Sequence, residues 1–178
     1  MKSVMIDFET FGTSPDACIV QVGACYFDPN TGAIGATFKR NIDARSSVQS
    51  GAIIDADTVY WWLGQSPEAQ VSITTGLQRL DIFEAFDQLN AFLEGAKEIW
   101  SHATFDFVIL SQTMKRLLIE PKFKYYVARD IRTLTAIAKP SMFDKNAKRD
   151  GVHHDALDDC KHQVKYVCKL LNRIRINE

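Results

Sequence analysis

Three acidic segments carry the residue types that can do chemistry. In the first, Asp7-Phe8-Glu9-Thr10, two carboxylates are separated by a single residue. Side chains alternate along a β-strand, so Asp7 and Glu9 point to one side and Phe8 to the other. Like charges at that spacing repel unless a cation lies between them, and oxygen donors favour magnesium or manganese over zinc. The second segment, His102-Ala103-Thr104-Phe105-Asp106, sets Asp106 in the first turn of a helix. The helix dipole favours a carboxylate there by ~0.3–1 kcal/mol, so this residue by itself is as readily a helix-terminus acid as a ligand. The third, His153-His154-Asp155-Ala156-Leu157-Asp158-Asp159, opens the last helix. A histidine at a helix start is more often a surface residue than a catalyst. The joint occurrence of all three segments, in order, overturns that bland reading.

These segments need a scaffold, and the sequence supplies one. Ser3 to Phe8 reads as a first strand through Val4, Met5 and Ile6; Cys18 to Phe27 and Ala33 to Ile42 read as two more, split by the turn Asp28-Pro29-Asn30-Thr31-Gly32. Together they form an antiparallel three-strand meander. Helices follow: Thr58 to Leu63 with Asp57 as its N-cap, one opening at Ser66-Pro67, and one at Asp81 with Glu84 at capping-box spacing before Phe86, Leu89 and Leu93. Glu98 to Ser101 reads as a fourth strand, Phe105 to Leu118 as a helix, Tyr125 to Ala128 as a fifth strand, and Asp155 to Leu171 as a long terminal helix. The expectation is an α/β fold in one domain, residues 1–178: a mixed five-stranded sheet, the meander plus two further strands, flanked by helices. Pro140 to Gly151, with Lys145, Lys148 and Arg149 among turn formers, reads either as a loop over substrate or as a solvated connection.

Composition narrows the class. At 178 residues, 46% hydrophobic and 24% charged, the chain can bury a core, and no apolar run nears the ~20 residues that cross a bilayer. No secretory segment opens it, so a cytoplasmic protein without a membrane is expected. Cys18, Cys25, Cys160 and Cys168 form no CxxC pair and read as buried thiols. The net charge of −1 hides an asymmetry, because residues 1–114 hold 6 Lys and Arg against 14 acids while residues 115–178 hold 15 against 8. An acidic metal site fed by a basic rim fits this pattern, as do solvated helix faces.

The ordered motifs resemble those of the DnaQ-like (DEDDh) 3′-5′ exonucleases, whose fold is ribonuclease H-like. Asp7, Glu9 and Thr10 match the first motif, Phe105 and Asp106 the second, and His154, Ala156 and Asp159 the third, with Ala156 setting the register that selects His154 over His153 and Asp159 over Asp158. Residues 4 to about 170 are covered. Two departures touch the substrate pocket: His102 stands where asparagine is frequent, and Phe11 separates Thr10 from Gly12. The run Thr58 to Ser66, with Trp61 and Trp62, resembles short phage and bacterial exonucleases of the exonuclease A type.

The resemblance implies two Mg2+ ions, replaceable by Mn2+, and no nucleotide cofactor. Asp7 would bridge them, Glu9 and Asp159 would complete one shell, Asp106 would support the second through water, and His154 would act as general base. The partner would be nucleic acid with a 3′ end, DNA or RNA, single-stranded or overhanging, and a homodimer is expected by resemblance alone. Phe11, Phe105 and one of Trp61 and Trp62 are candidates for base stacking, the other tryptophan packing its helix on the sheet, with Thr10 near the terminal nucleotide. No clamp- or polymerase-binding tail is visible, which favours a free-standing enzyme. The alternatives are a His-Asp metal phosphohydrolase using His154, Asp155 and His102, which would be all-helical, and an inactive nucleic-acid-binding module.

Overall fold

The computed structural model describes residues 1–74, 78–138 and 149–176. Strand β1 (Ser3–Thr10) lies in the middle of the sheet and all eight of its residues are buried. It pairs antiparallel with β2 (Ile19–Phe27), which pairs antiparallel with β3 (Ile34–Ile42), giving the expected meander. On its other side β1 pairs parallel with β5 (Glu98–Ser101), which pairs parallel with β6 (Ala128–Asp130). A two-residue strand, β4 (Arg79–Leu80), runs parallel to β3, so the sheet has six strands in the order β4-β3-β2-β1-β5-β6 rather than five. The sixth strand is too short to carry an alternating pattern. The six-stranded sheet also removes the all-helical phosphohydrolase alternative.

Helices α1 (Ala44–Gln49), α2 (Ala56–Leu63) and α3 (Pro67–Thr74) follow β3; α4 (Ile82–Phe92) follows β4, α5 (Asp106–Arg116) follows β5, α6 (Ile131–Ile137) follows β6, and α7 (Ala156–Ile176) comes last. The N-cap of α2 is Asp55, not Asp57, because the Asp55 side chain accepts from the Asp57 amide. Tyr125 to Val127 form a 3-10 turn, and the strand there starts only at Ala128. Of the connection expected from Pro140 to Gly151, residues 140–148, with Lys145 and Lys148, lie outside the described residues.

Alternation along β1 sorts two cores. Val4, Ile6 and Phe8 join a buried cluster with Phe86 and Leu89 of α4 and Ile109 and Leu110 of α5. Met5 joins the opposite cluster, with Trp100 and with Cys160, Val164 and Val167 of α7. Asp7 and Glu9 have the parity of Met5, so β1 turns its acids toward the layer of α7. The four cysteines are free and buried. Among the described residues, no helix is long and apolar enough to cross a membrane.

Candidate active site

The site forms where the parallel strands β1 and β5 end. Their pairing stops at Met5 and Trp100, and beyond it the chain leaves β5 and enters α5 at Asp106. Ligands gather in such crevices because strand ends release polar groups there with no ladder to satisfy. Asp106, 1% exposed, reaches across the gap, where its Oδ1 accepts from the Phe8 amide and its Oδ2 from the His102 amide, each at 3.1 Å. The departure at His102 therefore leaves this function intact, since the peptide rather than the side chain holds the carboxylate.

Asp159 arrives from α7, and the helix comes this close because of one residue. Gly23 of β2 lies opposite Asp7, and a Cβ there would be 2.3 Å from the Ala156 carbonyl carbon and 2.4 Å from the Leu157 nitrogen. Only a residue without a side chain lets the first turn of α7 rest on the strand. The buried Gln21 fixes the helix start, accepting from the Ala156 amide at 2.7 Å and donating to Asn41 and to the Ser72 carbonyl. Asp155 accepts from the Asp158 amide and pairs with Lys39.

Asp7, Glu9 and Asp159 each offer an oxygen, and these oxygens lie within 4.8 Å of one another with all three residues buried. Burial pushes the Asp7 carboxyl up to about 7, against a hydrogen bond from Gln163 and the positive charge of Arg149 that pull it down. Glu9 is driven well above the ordinary range by burial, then by its acidic neighbours, and Asp106 likewise by burial and then by Asp7. A cluster of this kind lacks positive charge. Arg149 supplies some, through an ion pair with Asp159 and its attraction to Asp7 and Glu9. A dry nest of hard oxygen donors fits a divalent cation of the magnesium or manganese type.

His154 stands beside the acids in a left-handed backbone conformation, φ +64°, with its carbonyl accepting from the Ser72 hydroxyl at 2.9 Å. Its ring meets Trp61 edge-on at 4.8 Å and Trp62 at 5.9 Å, and lies flat against His153 at 3.8 Å. Burial, then His153 and Arg149, lower its pKa to about 4, below the 6.5 of a free imidazole, so the ring is neutral near pH 7 with a lone pair to offer.

Glu9, Thr10, Trp61, Trp62 and Phe105 line one cleft of about 470 Å³ next to the acids. Trp62 is the buried tryptophan, its indole nitrogen donating to the Thr10 carbonyl at 2.9 Å, while Trp61 is 46% exposed. The Thr10 hydroxyl donates to the Gly12 carbonyl, so this residue shapes the end of β1 with both its groups engaged. Phe11 is not among the residues lining the cleft and packs, partly buried, against the small core of Cys18, Val20 and Trp62. Gln163, which donates to Asp7 at 2.8 Å, was not singled out from the sequence. Its position one helical turn after Asp159 was the available signal.

With this geometry in view, the family of 3′-5′ exoribonuclease Rv2179c-like domains matches residues 2–171. The chain belongs to this family. It is thereby a hydrolase of the 3′-5′ exonuclease class, of the DnaQ-like type. An exodeoxyribonuclease of Enterobacteria phage T4 is 24% identical over an alignment of 198 residues, covering 92% of this chain and 86% of the relative. Exonuclease I of Methylocaldum szegediense superimposes with a TM-score of 0.66 at 17% identity, covering 96% of this chain. This chain spans only 40% of that enzyme's length. Pop2p of S. pombe, in a form with Mg2+ and Mn2+ bound, gives 0.61 at 14% identity, covering 99% of this chain and 85% of that one. At these identities the two structures speak for the fold alone, the ribonuclease H-like one expected from the motifs.

Proposed function

We propose that the chain removes nucleotides one at a time from the 3′ end of single-stranded or overhanging nucleic acid, working as one domain with two divalent cations, Mg2+ or Mn2+. The observation that carries this reading is the convergence of Asp7, Glu9 and Asp159 within 4.8 Å, in a buried pocket beside the ring of His154. Asp7, Glu9 and Asp159 are the direct ligands, with Asp106 behind them tied to the Phe8 and His102 amides. Bound there, the cations would lower the barrier by offsetting negative charge on the attacking and leaving oxygens.

The remaining steps belong to the protein. Trp61 offers an exposed face in the cleft on which a terminal base stacks, and Phe105 lines the same cleft. His154 accepts the proton of the attacking water. Its low pKa reflects its burial and the positive charges of His153 and Arg149, and the negative charge of an incoming phosphodiester works in the opposite direction, strengthening it as a base when substrate is in place. The family description speaks of RNA and the phage relative of DNA, so the sugar is left to experiment.

The test offers 3′- and 5′-labelled single strands and overhangs of both sugars with Mg2+, Mn2+ or chelator. Mononucleotide release from the 3′ end that needs the metal is expected, and His154→Ala should lower kcat by ~10²–10⁴-fold without loosening metal binding. Endonucleolytic products, or cleavage in chelator, would overturn the reading. No cleavage under any condition would leave the inactive binding module in its place.

A further inference from the structure

We propose a second metal site, formed by His153, His154 and Asp159, that takes a borderline transition ion such as Zn2+ or Co2+ and turns the enzyme off when filled. Its inhibitory role rests on the exonuclease reading above, whereas the site itself does not. The three residues offer ligand atoms within 4.8 Å of one another, and they share only Asp159 with the all-oxygen trio of Asp7, Glu9 and Asp159. The donor sets differ in kind. Three carboxylate oxygens suit a hard ion, while two imidazoles and a carboxylate are a common set for zinc, which completes its tetrahedron with water.

One ligand is held in place before any ion arrives. His154 is fixed by its backbone conformation, by the bond from Ser72 to its carbonyl, and by the edges of Trp61 and Trp62. His153 lies flat on it, 22° from parallel, so the lone pairs of the two rings do not yet converge. His153 is exposed, so its side chain has room to rotate and turn a nitrogen toward the same point. Arg149, paired with Asp159, must give way, so the ion replaces a positive charge with a positive charge. An ion held there occupies the lone pair that His154 needs to accept a proton. It also withdraws Asp159 from the hard-ion trio.

Cobalt is the probe, because its visible absorption reports tetrahedral coordination with no nuclease activity required. Protein in excess Mg2+ should develop a saturable tetrahedral Co2+ band that Zn2+ bleaches, and Zn2+ should inhibit nucleotide release at the same occupancy. His153→Asn should lose the band and, measured against its own Mg2+-supported rate, weaken zinc inhibition on the order of 100-fold, one ligand's share of a structural zinc site. A band and a zinc sensitivity unchanged by His153→Asn would put the ion in the carboxylate trio and refute the site. No band in an active enzyme would refute it as well. A band lost in His153→Asn, from protein with no Mg2+-supported activity, would uphold the site and count against the exonuclease reading.

Discussion

Replacing Asp7 by asparagine should make the metal-free protein more stable while abolishing the metal-dependent hydrolysis proposed above. Burial raises the Asp7 carboxyl from 3.8 to about 7. Below pH 3.8 both folded and unfolded chains are protonated at this position and nothing is lost. As pH rises above 3.8 the unfolded chain ionises while folded Asp7 holds its proton until about 7, so stability falls across that window and levels off above it. The full difference corresponds to roughly 4 kcal/mol at pH 8. Asparagine keeps an oxygen to accept from Gln163 but adds an amide that must find a partner, so a net gain of ~2–4 kcal/mol is expected. At ~2–4 °C per kcal/mol for a chain of this size, the melting temperature in EDTA at pH 8 should rise by roughly 5–15 °C. At pH 4 wild type and variant should melt within a few degrees of each other. Added Mn2+ should raise the wild-type melting temperature at pH 8 and leave the variant nearly unmoved. An Asp7→Asn protein that melts at or below wild type in EDTA at pH 8 would refute the reasoning, because the carboxylate would then be a stabilising partner of Arg149 and not a strained metal ligand.

Gly23→Ala should cost ~1–3 kcal/mol in chemical denaturation, since its Cβ meets the backbone of Ala156 and Leu157, and it should weaken Mn2+ binding by calorimetry because α7 carries Asp159 away from Asp7. Trp61→Ala removes the exposed face proposed above for base stacking, which is worth ~1–3 kcal/mol per base, so KM for a single strand should rise ~5–100-fold with kcat changing far less. Arg149→Gln removes the positive charge that pairs with Asp159, and calorimetry should show divalent ions binding about tenfold tighter for each ~1.4 kcal/mol of repulsion relieved.

The candidate site was legible in the sequence because each acid ends or begins an element with a strong local signature: Asp7 and Glu9 close an apolar run, Asp106 opens an amphipathic helix, and Asp159 sits one turn inside another. Where local signals competed, contacts from elsewhere decided. Asp55 displaced Asp57 as the cap of α2 because its amide is tied to the Phe11 carbonyl, which fixes it where the helix must start. Tyr125 and Tyr126 have strand-forming side chains, yet they are 84% and 64% exposed in a 3-10 turn, and the paired residues come after them. Helices α1 and α6 span 6 and 7 residues, too few for a periodic pattern, and are held by the caps Asp43 and Asp130. The neutral residues that set distances were the hardest to read. Gly23 matters because of the peptide joining Ala156 to Leu157, Gln21 because of the Ala156 N–H 135 positions away, and Gln163 because of Asp7 across 156 positions. A motif written in charged residues identifies the donors, but how near Asp159 comes to Asp7 is decided by a glycine and two glutamines. The affinity of this site for divalent ions should therefore respond to those three positions as sharply as to the acids themselves.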